Sequence, residues 1–201
     1  AVNCTGWGLM AKLLETTEEQ LDRVSALQFK GPYFFLQAFV GRMARTGGGS
    51  VIQVSSASVH ALLNNHAAYI ATKAAGEALV RCFANEFGAA GVRVNSIAPG
   101  LTSTPMTERD VRLPGLEEAF VREYPLGRIG TTQDVADAAL WLAGDECFMT
   151  GQLLQIMSLF LLPALDLGWG PLLSITWVVV AQGLAGLAKD KAKLQEVLKY
   201  H

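Results

Sequence analysis

The chain is poor in cysteine, poor in charge and without a basic run, and each scarcity closes off a class of function. Its three cysteines, Cys4, Cys82 and Cys147, stand singly, with no Cys-x-x-Cys pair and no histidine at ligand spacing. That leaves neither a disulfide framework nor a metal site, so the thiols read as reduced in a cytoplasmic protein. Only 17% of the residues are charged, and 16 basic against 18 acidic residues give a formal charge of −2. Without a basic block to neutralise successive phosphates, nucleic acid is not an expected partner. The opening Ala-Val-Asn-Cys-Thr-Gly has no initiator methionine, no positive segment and no apolar signal core, and reads as a chain entered in the middle of an element. Gly47, Gly48 and Gly49 precede a β-branched run instead of a helix, so they read as a turn and not as a phosphate cradle.

What is present is apolar material for one domain: 51% of 201 residues. Thr17 with Gln20 forms a capping box, and Leu21, Val24 and Leu27 follow at helical spacing, predicting a long helix towards Arg45. Ser50 to Ser55 reads as a strand. Residues 67–88 read as a second helix with small residues Ala71, Ala74, Ala75 and Ala78 on one side, stopped by Gly88 and Gly91. A strand over 92–97, a helix capped by Thr131 and Asp134, and a last strand over 152–156 complete the alternation, which predicts an α/β fold with a parallel sheet. Trp141 and Phe34, at helical spacing among apolar neighbours, read as core.

The composition changes near residue 158. Between 159 and 188 only Asp166 is charged, and Lys189, Lys191 and Lys193 follow. The division is therefore a domain over 1–157 and an atypical apolar, amphipathic helical tail over 158–201. Three readings compete for the tail: a marginal membrane anchor, a soluble helix covering the sheet, or a stretch of shifted frame.

Chemistry centres on Tyr69 and Lys73. Four residues apart on a helix, they project from one face, and an ammonium beside a phenol favours phenolate, lowering the tyrosine pKa from about 10 towards working pH. Alone the pair is weak, since a helix surface often holds such residues by chance. Ser56, thirteen residues earlier at the end of a strand, and Asn95-Ser96-Ile97-Ala98-Pro99-Gly100 with Thr104 beyond it place further polar groups at strand carboxyl ends, where open α/β sheets bind ligands. His60 and His66 lie in the loop between Ser56 and Tyr69 and read as solvent-facing.

These residues resemble the short-chain dehydrogenase/reductase family, whose Ser, Tyr-x-x-x-Lys and Asn-x-x-x-Pro-Gly motifs occur here in order, over about residues 2–156. The resemblance implies a doubly wound, Rossmann-like parallel sheet, of which this is the C-terminal portion, and an NAD- or NADP-dependent oxidoreductase acting on a ketone or secondary alcohol. It implies Tyr69 as proton donor or acceptor, Ser56 as the group orienting the substrate oxygen, and Lys73 on the nicotinamide ribose. Gln28 stands where the family has an asparagine supporting a relay water. Asn3 and Gly6, with Cys4 and Thr5 between them, replace the family's Asn-Asn-Ala-Gly. With Pro99, Gly100 and Thr104, they are the expected cofactor contacts. Met157, Ser158 and Leu159 replace the family's Asp-Gly-Gly. The family's opening strand and glycine turn are missing from the 201 residues, so the expectations are weak dinucleotide binding, an unpaired sheet edge and no choice between NAD and NADP. The two long helices resemble the family's dimer pair, implying a homo-oligomer. The alternative is a catalytically silent half-fold serving as a binding or membrane-attached protein.

Overall fold

The computed structural model describes residues 1–61, 63–108 and 116–157. The expectations for 158–201 lie outside the described residues. Four parallel strands, β1 (Val2–Asn3), β2 (Gly49–Val54), β3 (Val92–Pro99) and β4 (Leu153–Ile156), lie side by side in chain order. The register pairs Ile52 with Val2 on one side and Asn95 on the other, and Ile97 with Leu154.

Helices supply the crossovers that parallel strands require. Between β1 and β2 run α1 (Glu18–Ser25) and α2 (Gly31–Arg45), joined by a π-turn over Ala26–Lys30 into one helical run that ends where the periodicity predicts. Its start carries the expected capping box, Gln20 N–H donating to Thr17 Oγ1 at 3.3 Å and Thr17 N–H to Gln20 Oε1 at 3.0 Å. After β2 come the single turn α3 (Ser58–Ala61) and the 21-residue α4 (Ala67–Phe87). Between β3 and β4 lie α5 (Leu116–Glu123) and α6 (Thr132–Ala143), the latter opened by the predicted Thr131–Asp134 box.

The core forms on both sheet faces. Leu36 and Val40 of α2 and Val80 and Ala84 of α4 pack on Val51, Val92 and Val94. Leu142 of α6 and Cys147 pack on Ile52 and Ile97. Consecutive Val51 and Ile52 go to opposite faces, and a strand buried on both faces has no reason to alternate apolar with polar, which is why β2 reads as a continuous run. Where β2 and β3 start, Gly48 (φ 97°) and Gly91 (φ 74°) abut. A Cβ on Gly48 would stand 2.5 Å from Gly91 O, so the turn needs glycine for both its dihedral and its close approach.

Two core expectations are corrected. Trp141 is 43% exposed and Phe34 63%. On α6 the inward positions belong to Val135, Ala138, Ala139 and Leu142, and on α2 to Leu36 and Val40, so Trp141 and Phe34 fall on outward faces. Helical spacing alone does not say which stripe of a broadly apolar helix meets the sheet.

Candidate active site

The carboxyl ends of β1, β2 and β3 release three loops on one edge, and the first turns of α4 lie across them. Tyr69 and Lys73 project from those turns. Lys73 is only 6% exposed, and its ammonium donates to the Val54 carbonyl at 2.9 Å, at the end of β2. Its Nζ is 5.9 Å from the Tyr69 ring centroid. Burial draws the Lys73 pKa down from 10.5 to about 8, and negative charge at the nearby Cys4 sulfur acts in the opposite direction.

The expected lowering of the Tyr69 pKa is corrected. Burial raises it, and the Ser56 hydroxyl, which stabilises the phenolate, offsets part of the rise. The ammonium is directed at a carbonyl and lies over the ring, so desolvation outweighs the charge effect that helical spacing suggests. A phenol held protonated near neutrality is suited to giving a proton.

Ser56 sits one residue beyond its buried neighbour Ser55. Its Oγ pairs with Ser58 Oγ at 2.9 Å and accepts the Ser58 N–H at 3.3 Å. The segment is held against β3 by Ser55 N–H donating to Ile97 O at 2.7 Å and Ala57 N–H to Pro99 O at 2.9 Å. Pro99 thus contributes a backbone carbonyl that seats the serine loop.

Gln28 falls inside the π-turn, where the extra residue per turn drives its side chain inward. It is 2% exposed, and its Nε2 donates to Thr72 Oγ1 at 3.4 Å while Oε1 has no partner among the described residues. Gly6 faces the same place. A Cβ built on it would stand 3.3 Å from Lys73 Nζ and 3.8 Å from Gln28 Oε1, so the absent side chain leaves a slot lined by a cation and an unpaired acceptor. A buried acceptor of that kind is an uncompensated cost unless a donor reaches it.

The other expected contacts are less free. Asn3 is buried, its Nδ2 donating to Gln53 Oε1 at 3.0 Å and its Oδ1 accepting Thr5 N–H at 3.0 Å, so it fixes the loop after β1. Thr104 Oγ1 is bound to Thr107 Oγ1 at 3.0 Å in a closed threonine turn. Gly100 allows close packing: a Cβ there would be 2.8 Å from Met157 Cβ and 3.1 Å from the Tyr124 hydroxyl. Tyr124, which receives the Leu101 N–H at 3.2 Å, went unnoticed in the sequence because nothing links it to the motifs in spacing. Burial raises its pKa.

His66 lies edge-on to Tyr69 at 6.3 Å between ring centroids, its Nδ1 2.6 Å from Asn64 O. His60 stays half-exposed while placing Nε2 3.4 Å from the buried Glu77 carboxylate. Glu77 belongs to no motif in the sequence, although its position four residues after Lys73 puts it on the same helical face. Among the described residues no group of three potential ligands could hold a metal ion, and no helix is long and apolar enough to cross a membrane.

Comparison with known proteins bears on the family and the fold. The family model described as Enoyl-(Acyl carrier protein) reductase matches residues 1–157. The 3-oxoacyl-(acyl-carrier-protein) reductase of Thermotoga maritima is 36% identical over 77% of this chain and 63% of its own, and the (3R)-3-hydroxyacyl-CoA dehydrogenase of Mus musculus 33% over 77% and 60%. The chain spans about three fifths of the length of these curated relatives. Among solved structures, a short-chain type dehydrogenase/reductase from Mycobacterium ulcerans superposes with a TM-score of 0.74 at 32% identity, covering 77% of this chain and 57% of that one. ElxO with NADP bound gives 0.71 at 28%, covering 77% and 64%.

Proposed function

We propose, from the premise that this chain belongs to the short-chain dehydrogenase/reductase family, that it carries the proton-transfer site of an oxidoreductase interconverting a ketone and a secondary alcohol with NAD or NADP. The observation that carries the reading is Lys73, a cation buried beside Tyr69 and facing an unpaired Gln28 oxygen. A silent binding scaffold or membrane-attached half-fold gains nothing from burying an ammonium there.

The slot before Gly6 fits the ribose end of a nicotinamide nucleotide, because Lys73 has N–H groups to spare after its bond to Val54 and no Cβ obstructs the approach. Lys73 and the loop from Gly6 would hold that end. Thr104, whose N–H and hydroxyl are both engaged by Thr107, would reach a carboxamide once released from it. Asn3, Pro99 and Gly100 act by shaping the loops. When bound, the nicotinamide supplies or receives the hydride.

In reduction, Tyr69 gives its hydroxyl proton to the carbonyl oxygen, which the Ser56 hydroxyl orients. Lys73 opposes the negative charge left on the phenolate. Lys73 then passes a proton to the phenolate, and a water donating to Gln28 Oε1 would return one to Lys73, so that Tyr69 and Lys73 end as they began. Oxidation runs the same path backwards.

The test is NADH- or NADPH-linked reduction of a panel of ketones, with Tyr69→Phe as comparison. The variant should lose 10²-fold or more, in line with the roughly 10²- to 10⁴-fold typical of general acid–base groups. Retention of above about a tenth of the rate would refute the assignment.

The domain acts as a unit over 1–157, in the cytoplasm, where its three free cysteines stay reduced. It works as a homo-oligomer through α2 and α4, which leave Phe34, Phe39, Ala71 and Ala78 exposed. Light scattering checks this: Ala71→Arg should dissociate the assembly, and a monomeric parent protein would remove the claim.

A further inference from the structure

The buried carboxylate of Glu77 has no part in the chemistry described so far. It is 5% exposed, one turn after Lys73, and its two oxygens take partners on either side of Ser56. Oε1 accepts the Ser55 hydroxyl at 2.5 Å, and Oε2 lies 3.4 Å from His60 Nε2 on α3. The residue before Ser56 and the helix after it therefore meet on one side chain. Lys73 meanwhile takes the Val54 carbonyl at 2.9 Å, so two successive turns of α4 grip the segment leading into Ser56.

We infer that Glu77 is a positioning residue that sets the Ser56 hydroxyl against Tyr69 by holding both flanks of its loop. The physical case is one of necessity. A carboxylate is not buried without hydrogen-bond partners, and a serine and a half-exposed histidine are the partners supplied here. Each leaves the carboxylate a weaker arrangement than solvent would, so for packing alone an apolar residue at this position would serve better. What the carboxylate adds is geometry: it accepts from two directions at once, which no apolar side chain can do. Without it the loop between Val54 and Ala61 is tied to β3 by backbone bonds and to α4 through Lys73 at Val54, while Ser58 holds the Ser56 Oγ only within the loop, so that Glu77 is what fixes the serine-bearing turn itself against the helix that carries Tyr69. This inference rests on the reading of Ser56 as the partner of Tyr69.

The test needs no turnover. In the full chain labelled with 13Cζ-tyrosine, the Tyr69 resonance at pH 7, assigned by its loss in Tyr69→Phe, reports the hydrogen bonding of the phenol. Ser56→Ala should displace it. Glu77→Ala should displace it in the same sense and by most of the same amount, and should add nothing in the Ser56→Ala background. Glu77→Gln, whose amide oxygen still accepts from Ser55 and whose amide nitrogen can donate to His60, should restore most of the parent position. If Glu77→Ala does not fold, Ser55→Ala and His60→Ala each remove one grip and should each give a partial displacement. An unmoved resonance in folded Glu77→Ala, an additive effect in the double variant, or unmoved resonances in both Ser55→Ala and His60→Ala would overturn the inference while leaving the Ser56–Tyr69 pairing intact. No response to Ser56→Ala would overturn that pairing, and with it this inference.

Discussion

Replacing Lys73 with methionine removes a charge that the fold buries at a loss, and the size of that loss can be worked out. The ammonium falls from 10.5 in the open chain to about 8 in the folded one. That difference corresponds to about 3 kcal/mol of destabilisation below pH 7, at about 1.4 kcal/mol per unit. The sign follows from proton counting. Between 8 and 10.5 the unfolded chain binds the proton and the folded chain has released it, so stability rises with pH across that window and the loss is largest below it. From pH 7 to pH 9.5 the parent should therefore gain about 2 kcal/mol from this group. Lys73→Met should be more stable at pH 7 by about 2 kcal/mol, once about 1 kcal/mol is subtracted for the lost bond to Val54 O. Urea denaturation of both proteins in half-unit pH steps measures this. The comparison stops at 9.5 because Tyr69 and Tyr124, both raised by burial, destabilise the fold in the opposite sense as pH rises through their ordinary range. Parallel stability curves for parent and variant, or a variant less stable at pH 7, would refute the argument that Lys73 is buried as a cation.

Two smaller perturbations test the surroundings. Gly100→Ala introduces a Cβ at 2.8 Å from Met157 Cβ and 3.1 Å from the Tyr124 hydroxyl, and should cost about 1–3 kcal/mol by thermal melting, with Met157→Gly recovering part of it. Asp134 accepts both Arg128 nitrogens, at 2.7 and 2.9 Å, and closes the cap of α6, which holds its carboxyl well below the usual range. Its contribution is present above the ordinary carboxylate pKa and is lost as pH falls through the depressed one. Asp134→Asn should cost about 1 kcal/mol at pH 7, with the difference from the parent closing in acid melts.

The sequence made the alternation of elements legible because its punctuation is chemical. Thr17 and Thr131 with their N3 partners, the glycines at 47–49 and Gly91 each demand one local geometry whatever lies around them. Tyr69, Lys73 and Ser56 were legible for a different reason: their spacing is meaningful only at the carboxyl edge of a parallel sheet, and the strand pattern supplied that edge. What could not be read was anything decided by three-dimensional direction. Trp141 and Phe34 share the periodicity of core residues but occupy the wrong stripe. The Tyr69 pKa depends on whether Lys73 Nζ points at the phenol or at Val54 O, and a helical interval of four allows both. The hydrogen bonds that hold the side chains of Asn3 and Thr104, from Gln53 and Thr107, are likewise invisible in one dimension. The π-turn at Gln28 has no clear signature, since the added residue is visible only through the bonds it shifts.

The division of labour along α4 explains why its polar residues survive inside a folded chain. Its later turns place Val80 and Ala84 on Val51, Val92 and Val94, over the body of the sheet, where burial of each large apolar side chain contributes about 1.5–3 kcal/mol. Its earlier turns bury Thr72, Lys73, Gly76 and Glu77 instead, and Lys73 and Glu77 reach the chain at the end of β2. Every one of the polar three is spent on a specific atom: Thr72 on Gln28, Lys73 on the Val54 carbonyl, Glu77 on Ser55. A helix selected for stability alone would continue the apolar stripe of Val80 and Ala84 towards its first turn. The stripe stops where the strands stop, and the stability won over the sheet is what allows a cation and a carboxylate to be held, one turn apart, at the edge where a substrate would meet Tyr69.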